Sequence, residues 1–160
     1  FSKKYWQLAN TILIVSTKPK KISSSQGHSL APTSPLFNVR LSSIKEKQNS
    51  LLNALRKKNI KQLGEIIESE SLEMHAIMMS SKEHINYFEK DTSKILAWIR
   101  ELRLQKKLQI YFTLDAGPNI HVISDVETQI KFIKEVKSSY PNISFISDRT
   151  GDGPSIRYIE

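Results

Sequence analysis

The sequence predicts an α+β domain in which helices cover a single antiparallel sheet, and three observations support this fold class. A short run rich in β-branched residues opens the chain, and three long segments with helical apolar spacing follow it. After these helices, segments with the alternating period of strands return, separated by one further helical segment. With 160 residues, of which 39% are hydrophobic, the chain can form one core, so we expect one domain over residues 1–160.

The first half of the chain supplies one strand and three helices. Residues 11–16 predict a buried strand, and residues 22–28 predict a polar loop. Ser34 followed by Pro35 predicts a helix cap and a first helical residue, and that helix ends near Lys58. Two more helices are predicted over about 61–79 and 91–104. The apolar face of the helix that ends near Lys58 includes Leu36, Val39, Ile44, Leu51, Leu52 and Leu55.

The second half of the chain supplies the remaining strands. Residues 108–114 and 120–123 predict two strands joined by a turn, and residues 128–136 predict a helix. Two short closing strands are predicted at 143–146 and 156–159. The order of strand, helices, two strands, helix and two strands favours one antiparallel sheet with helices packed against it.

The composition limits the chemistry and suggests the class of ligand. The sequence contains no cysteine, which excludes thiol chemistry, and its four histidines are scattered, so we expect no metal site. The net charge of +8 favours an anionic partner such as nucleic acid, a membrane surface or a small polyanion. A solvated basic surface without a specific partner fits the same composition and stays open.

The start of the chain gives no sign of a membrane segment. The apolar run 8–15 is interrupted by Asn10 and Thr11 and is too short to cross a bilayer, so we expect no membrane partner. The sequence begins at Phe1 and has no signal-peptide layout. We therefore expect a piece of a longer cytoplasmic protein.

Asp115 is the candidate catalytic residue, because it ends an apolar strand and begins a turn. A carboxylate is costly at a buried strand end unless a partner satisfies it. Gly117 can adopt positive φ and lets a ligand approach the backbone, and successive amides in such a turn can bind an anion. These features fit an acid or base that acts on a phosphorylated substrate. An ordinary turn in which Asp115 caps the backbone fits the same residues and stays open.

The segment 20–27 is a second candidate site. Lysines followed by consecutive hydroxyls can hold a diphosphate, although the spacing of a Walker phosphate loop is absent. A serine-rich linker is the alternative, and it also stays open. His75 lies on a core-forming helix, where we expect a hydrogen-bonded histidine that serves packing. Asp152 is expected to be a tight-turn residue.

Three segments together resemble motifs of the mevalonate diphosphate decarboxylases, which belong to the GHMP kinase superfamily. Residues 21–28 resemble the family's Lys-x-x-Ser-Ser-x-x-Gly-Met loop, and residues 33–37 with Arg40 resemble its Thr-Ser-x-Leu-Phe helix start. Residues 111–119 resemble the Tyr-Thr-Phe-Asp-Ala-Gly-Pro-Asn signature, which is the most specific of the three. Weaker similarities occur at 74–76 and 91–94, and all of these segments follow the family's order.

The resemblance implies the carboxy-terminal domain of a GHMP kinase fold, with a ferredoxin-like antiparallel sheet covered by helices. It implies an enzyme of the mevalonate pathway that uses ATP and Mg²⁺ to convert mevalonate diphosphate to isopentenyl diphosphate. Asp115 would be the catalytic carboxylate, and the substrate-binding residues would be Lys21, Ser24, Ala116 and Gly117. An amino-terminal domain absent from this chain would bind most of the ATP and Mg²⁺, so we expect the 160 residues alone to be inactive. The full enzyme would be cytoplasmic and could form a homodimer.

The sequence departs from the family pattern at two places. His28 replaces the usual methionine, and Lys82-Glu83 stands where many members have Pro-Pro, near the substrate entrance. Three alternatives follow: a sister enzyme (mevalonate kinase-like or a phosphomevalonate decarboxylase), a degenerate regulatory GHMP domain, and a basic α+β nucleic-acid-binding module. The last lacks an RNP-like string, and the adjacent Tyr111 and Phe112 point to opposite faces, so we expect no nucleic-acid partner.

Overall fold

The computed structural model describes residues 4–153, and within them four strands form one antiparallel sheet. Strand β1 (Leu8–Ile14) lies between β3 (Ile120–Asp125) and β4 (Ser144–Arg149). Strand β2 (Tyr111–Thr113) pairs with β3 at one edge, so the strand order is β2-β3-β1-β4. This order, with helices in the connections, confirms the predicted α+β fold with a ferredoxin-like sheet.

The helices lie in the connections between the strands. Their bounds are α1 (Ser24–Leu30), a 3₁₀ helix (Ala31–Thr33), α2 (Phe37–Arg56), α3 (Ile60–Ser80), α4 (Lys90–Lys106) and α5 (Val126–Ser139). Between residues 4 and 153, no helix is long and apolar enough to cross a membrane.

The main core lies between one face of the sheet and helices α4 and α5. Side chains alternate along β1, where Ala9, Thr11 and Leu13 are buried and their neighbours are only half-buried. Leu13 packs with buried residues of α4, β2, β3 and α5, which include Ile95, Ile99, Phe112, Val122, Phe132 and Val136. The sheet is thereby fixed against two helices, and the loops at the end of β1 and β2 project from a rigid base.

Helix α3 covers the open edge of β2. The Glu68 carboxylate accepts a hydrogen bond from the Phe112 amide at 3.1 Å, and the Ser71 hydroxyl accepts one from the Leu114 amide at 2.8 Å. Ser71 also donates to the Leu114 carbonyl at 3.2 Å. An uncovered edge strand exposes unpaired backbone groups, so these side chains take the place of a further strand.

The predicted elements occur in the predicted order, with different bounds. Strand β1 begins three residues before the predicted 11–16, and only Tyr111–Thr113 of the predicted 108–114 is a strand. The predicted helix 128–136 lies inside α5, and the predicted strand 143–146 overlaps β4. The predicted strand 156–159 lies outside the described residues.

The predicted loop 22–28 is wrong from Ser24 onward, because α1 begins there. The Ser23 hydroxyl accepts a hydrogen bond from the Gln26 amide, and the Gln26 side chain accepts one from the Ser23 amide. This reciprocal capping box is a strong helix-start signal. Gly27, which suggested a turn, is buried instead against Tyr87, whose hydroxyl would lie 2.4 Å from an added Cβ.

The predicted start and apolar face of α2 also need correction. The helix begins at Phe37, because a 3₁₀ turn precedes it and the Ser34 hydroxyl accepts a hydrogen bond from the Leu36 amide. Leu36, Val39 and Leu52 are exposed. Ion pairs accompany the contact between α2 and α3; they are Arg40–Glu70 at 2.7 Å, Lys47–Glu70 at 2.7 Å, Arg40–Glu73 at 3.7 Å and Lys47–Glu73. Apolar spacing alone therefore overstated how much of α2 is buried.

Candidate active site

Asp115 is exposed and stands directly after Leu114, the buried residue that follows β2. Leu114 is 4% exposed and anchors the strand end in the core, with both of its backbone groups bonded to Ser71. The Gly117 amide donates to the Asp115 carbonyl at 2.7 Å and closes a three-residue turn. The carboxylate is thus carried on a fixed backbone while its oxygen atoms remain open to solvent.

Gly117 is required by close packing and not by backbone conformation. None of the glycines between residues 4 and 153 has positive φ, so that expectation for Gly117 is wrong. A Cβ placed on Gly117 would lie 3.2 Å from Lys20 Cε, 3.4 Å from Lys20 Nζ and 3.5 Å from Asp115 Oδ1. The Lys20 ammonium and the Asp115 carboxylate therefore both lie beside the space that a side chain at Gly117 would occupy.

The backbone amide of Gly117 does not serve the anion-binding role expected for the turn. It is already bonded to the Asp115 carbonyl, so it has no free hydrogen to offer a phosphate. The positive charge beside Asp115 comes instead from Lys20, a side chain of the segment that follows β1. A lysine ammonium has three donors and a full charge, which suits a phosphate better than one amide does.

Asn119 and Thr92 hold the turn in place from two sides. The Asn119 side-chain oxygen accepts hydrogen bonds from the Val15 amide at 2.9 Å and the Ser16 amide at 3.1 Å. The Thr92 hydroxyl donates to the Pro118 carbonyl at 3.3 Å. Asn119 therefore joins the Asp115 turn to the start of the Lys18–Lys20 segment, and this contact brings Lys20 to the carboxylate.

The Asp115 turn and the segment after β1 enclose a cleft of about 380 Å³. Its charged walls are Asp115, Lys18 and Lys20, and His121 of β3 stands on the sheet beside them. The remaining lining residues are Ile12, Ile14, Ser16, Thr17, Gly117, Pro118 and Asn119. One carboxylate among cations, above an apolar floor, suits a small anion that also carries a group for Asp115 to act on.

Lys21 lies in a neighbouring cleft and not in the Asp115 cleft. This second cleft, of about 430 Å³, is formed by residues 16–22, the segment 83–89 and Pro118. It shares Lys18 and Lys20 with the first, so the two clefts adjoin along these lysines. The structure thus brings together Asp115, Gly117 and Lys20 in one cleft, whereas Lys21 lines only the neighbouring cleft.

Ser24 and Ala116 lie outside both clefts. Ser24 is the exposed first residue of α1, and Ala116 packs its side chain against the buried cluster around Ile77, Met78 and Tyr87. The Tyr87 hydroxyl donates to the Ser23 carbonyl at 3.2 Å and so fixes the start of α1. Substrate contact at Ser24 and at the Ala116 backbone stays a prediction.

The sequence indicated three residues of the Asp115 cleft to different degrees; they are Lys20, Asn119 and His121. Lys20 belongs to the candidate segment 20–27, but the family motif begins at Lys21 and directs attention there. Asn119 lies inside the Asp115 signature, and its spacing four residues after Asp115 was the available signal. His121 gives no local signal, because only the pairing of β3 with β1 places it beside the cleft.

His75 is buried as predicted, but it is not hydrogen-bonded as predicted. Its side chain is 1% exposed, and neither ring nitrogen has a hydrogen-bond partner within residues 4–153. Burial lowers the pKa of the His75 imidazole, and the nearby backbone and carboxylate of Asp115 oppose that shift. The ring therefore lies next to the candidate catalytic residue.

The family is decided by the model for the mevalonate 5-diphosphate decarboxylase C-terminal domain, which matches residues 10–156. The chain belongs to this family. The matched range includes most of β1, all of β2, β3 and β4, and the Asp115 turn. The resemblance of the three sequence segments is thereby confirmed, and the domain is the carboxy-terminal domain of a GHMP-type fold.

Relatives and solved structures agree with this assignment. A diphosphomevalonate decarboxylase from Danio rerio is 26% identical over 144 residues, which cover 88% of this chain and 36% of that protein. The structure of mevalonate pyrophosphate decarboxylase from Streptococcus pyogenes superposes with a TM-score of 0.86 at 26% identity, over 94% of this chain and 47% of that one. The chain thus spans about a third of the length of this curated relative and about half of the length of this structural neighbour.

One structural neighbour was solved with ligands. The structure described as "MDDEF in complex with MVAPP, AMPPCP and Magnesium" superposes with a TM-score of 0.83 at 24% identity, over 94% of this chain and 46% of that one. At this identity the likeness shows the fold alone. The ligands named belong to that protein.

Proposed function

We propose that this domain supplies the catalytic carboxylate and part of the substrate site of an ATP-dependent mevalonate diphosphate decarboxylase. The observation that carries the proposal is Asp115, which is exposed on a fixed turn with the Lys20 ammonium beside it across Gly117. The family assignment supplies the class of reaction, and the basic cleft suits its diphosphate substrate. The products of this reaction are isopentenyl diphosphate, ADP, phosphate and carbon dioxide.

Asp115 acts first on the tertiary hydroxyl of mevalonate diphosphate. A tertiary alcohol is a poor nucleophile. A carboxylate within hydrogen-bond reach orients the hydroxyl and accepts its proton while the hydroxyl oxygen attacks the terminal phosphorus of ATP. The bond from that phosphorus to ADP breaks as the new bond forms. Lys20 holds an anionic group of the substrate next to Asp115 and so fixes the hydroxyl relative to the carboxylate.

The negative charge of Asp115 also stabilises the second step, in which phosphate leaves. When phosphate leaves, the bond from carbon 3 to oxygen breaks and positive charge grows at that carbon, which a fixed carboxylate stabilises. The carboxylate of the substrate then loses carbon dioxide, and its bonding electrons form the double bond of the product. Asp115 is exposed and carried by a rigid strand end, so it can serve both steps without a rearrangement of the backbone.

The proposal places ATP and Mg²⁺ mainly on an amino-terminal domain outside this chain. Within residues 4–153 no group of three or more His, Cys, Asp or Glu side chains could hold a metal ion. Mg²⁺ is commonly held by one or two carboxylates together with substrate phosphates, so the domain that holds the metal stays a prediction. The cytoplasmic location and the homodimer also stay predictions.

The competing functions predict different products. A mevalonate kinase-like enzyme would consume ATP without releasing carbon dioxide, and a phosphomevalonate decarboxylase would prefer the monophosphate. A nucleic-acid module would need exposed aromatic rings on the sheet, but Tyr111 and Phe112 are 4% and 0% exposed. Burial of both rings argues against base stacking on β2.

Carbon dioxide release by the purified full-length protein tests the proposal. Mevalonate diphosphate, mevalonate phosphate and mevalonate should each be supplied with ATP, and carbon dioxide, ADP and the isoprenoid product measured together. We expect carbon dioxide and ADP in equal amounts with the diphosphate, and much slower release with the other two. ADP without carbon dioxide, or a clear preference for the monophosphate, would contradict the proposed substrate.

A further inference from the structure

His75 is a buried polar side chain that the proposed mechanism does not use. It lies on α3, is 1% exposed, and has two ring nitrogens without a hydrogen-bond partner among residues 4–153. Buried polar groups in native proteins are nearly always hydrogen-bonded, because an unpaired one costs about 1–3 kcal/mol. Leucine or phenylalanine would fill the same space without this cost. The imidazole therefore needs a reason to be there.

The surroundings of His75 fix the plane of its ring. The Phe88 ring lies 4.4 Å away between centroids and is tilted by 50°, and the Tyr87 ring lies 6.1 Å away at 77°. Both aromatic residues come from the segment 83–89, which walls the Lys21 cleft and holds the start of α1 through the Tyr87 hydroxyl. Two aromatic rings of this segment therefore pack against the imidazole.

The ionisable neighbours of His75 leave its ring neutral near pH 7. Burial lowers the pKa of the imidazole, while the carboxylate and the backbone of Asp115 oppose this shift. The other titratable group packed against it is the Tyr87 hydroxyl, whose pKa is raised by burial, so it is also uncharged. A neutral imidazole has one N–H donor and one bare nitrogen acceptor.

The spacing along α3 relates His75 to the residues that hold β2. Glu68 bonds the Phe112 amide, Ser71 bonds both backbone groups of Leu114, and His75 follows one helical turn after Ser71. Residues three and four apart lie on one face of a helix, so Glu68, Ser71 and His75 all face the edge of β2, one after the other along α3. His75 comes level with the next residue along the chain, which is Asp115.

We propose that His75 is a positioning residue for Asp115: its ring N–H donates a hydrogen bond to the Asp115 backbone carbonyl when substrate engages the carboxylate. The carbonyl oxygen already accepts the Gly117 amide at 2.7 Å, and its second lone pair remains for this bond. Hydrogen bonds of catalytic groups are commonly long in free enzymes and shorten when the substrate is bound. Glu68, Ser71 and His75 then form a side-chain ladder that fixes the whole path from β2 to the carboxylate.

The role rests on the proposed function, and it makes a distinct kinetic prediction. A displaced carboxylate still leaves the cationic cleft to bind the diphosphate, so loss of the His75 bond should lower kcat and change KM little. A misplacement of about 1 Å can cost about a hundredfold in rate, so we expect a fall of kcat between about tenfold and a hundredfold. A histidine that only fills space would affect stability instead.

Three substitutions in the full-length protein separate these roles. His75→Phe keeps a planar ring between Tyr87 and Phe88 but removes the donor, whereas His75→Asn and His75→Gln place an amide donor near one ring nitrogen or the other. Carbon dioxide release from mevalonate diphosphate gives kcat and KM for each variant, and thermal unfolding gives Tm. We expect the lowered kcat in His75→Phe with KM within about threefold of wild type, and recovery of most of the rate in one amide variant.

Either of two results would overturn the positioning role of His75. A His75→Phe protein with the wild-type kcat shows that the donor is not needed. If all three variants lose rate in proportion to Tm, the ring serves packing alone. A wild-type protein that releases no carbon dioxide overturns the proposed function itself, and that result is distinct from an active wild type with an equally active His75→Phe.

Discussion

At the scale of single residues, the site depends on Lys20 and Asp115, which both lie beside Gly117 and line the same cleft. Two lysines stand side by side in the sequence, yet only Lys20 lines the cleft that contains the carboxylate. Gly117 makes this approach possible, because a Cβ at that position would contact the Lys20 side chain at 3.2 Å. Charge and space are therefore both arranged around one carboxylate.

The two lysines give the first prediction. Lys20→Met removes a charge-assisted hydrogen bond to the substrate, which is worth about 1.5–3 kcal/mol, so we expect KM for mevalonate diphosphate to rise about tenfold or more. Lys21→Met is the matched control and should raise KM much less, because Lys21 lies one cleft away. Steady-state kinetics of the full-length variants compares the two. Equal rises in KM for the two variants would contradict a larger role for Lys20 than for Lys21 in substrate binding.

Gly117 gives a second prediction. Gly117→Ala introduces a methyl group that Lys20 can avoid only by moving away, and Lys20 is an exposed, flexible side chain. We expect Tm to change by no more than a few degrees while kcat/KM falls about tenfold or more. Gly151→Ala is the control, because a Cβ there would meet no atom within 4 Å. Undiminished activity in Gly117→Ala would contradict the close approach of Lys20 to Asp115.

At the scale of elements, α3 supports β2 and the Asp115 turn that follows it. The Glu68 carboxylate joins the Phe112 amide to the Arg103 guanidinium of α4, with the shortest Glu68–Arg103 contact at 2.7 Å. Ser71 bonds both backbone groups of Leu114. A strand of three residues is too short to be stable by pairing alone, so these side chains keep its end in register.

Ser71 gives the prediction that belongs to this scale. Ser71→Ala leaves the buried Leu114 amide without its partner, and we expect the free energy of unfolding to fall by about 1–3 kcal/mol. Ser69→Ala lies half a turn away on the exposed side of α3, where its hydroxyl only contacts Glu73 at 2.9 Å, and should cost less than about 0.5 kcal/mol. Urea unfolding of both variants checks the difference. Equal stabilities would mean that α3 does not hold the β2 edge through Ser71.

The sequence predicts local features of these elements well and their contacts poorly. Periodicity identified every long helix, because each repeats apolar residues over several turns. The start of α1 was misjudged, although the Ser23–Gln26 capping box was present, because Gly27 looked like a turn residue. The contact of Gly27 with Tyr87 depends on a residue 60 positions later, so no local pattern could reveal it.

At the scale of the molecule, the cleft is assembled from segments that lie far apart in the sequence. Asp115 was identified from the signature at residues 111–119, and the family model confirms the relationship. Lys20 and Asn119 depend on the meeting of the β1 end with the Asp115 turn, which lie about a hundred residues apart. The sequence therefore predicted the carboxylate, whereas the arrangement around it required the fold.

The isolated chain gives the prediction for the molecule as a whole. The proposed site holds ATP mainly on another domain, so the purified 160-residue chain should show no ATP-dependent release of phosphate or carbon dioxide from mevalonate diphosphate. Circular dichroism should be recorded on the same sample, so that inactivity is measured on a folded chain. Turnover by this chain alone would show that its own residues are sufficient for the reaction.

The central claim is that Asp115 performs the chemistry, and one substitution tests it most directly. Asp115→Asn keeps the size and fold of the turn but removes the proton acceptor and the negative charge, and Asp91→Asn is an exposed control on α4. Carbon dioxide release from mevalonate diphosphate and ATP should be measured for both in the full-length protein. We predict a loss of about 10³-fold or more for Asp115→Asn and a normal rate for Asp91→Asn. A near-normal rate in Asp115→Asn would contradict the assignment of the catalytic carboxylate.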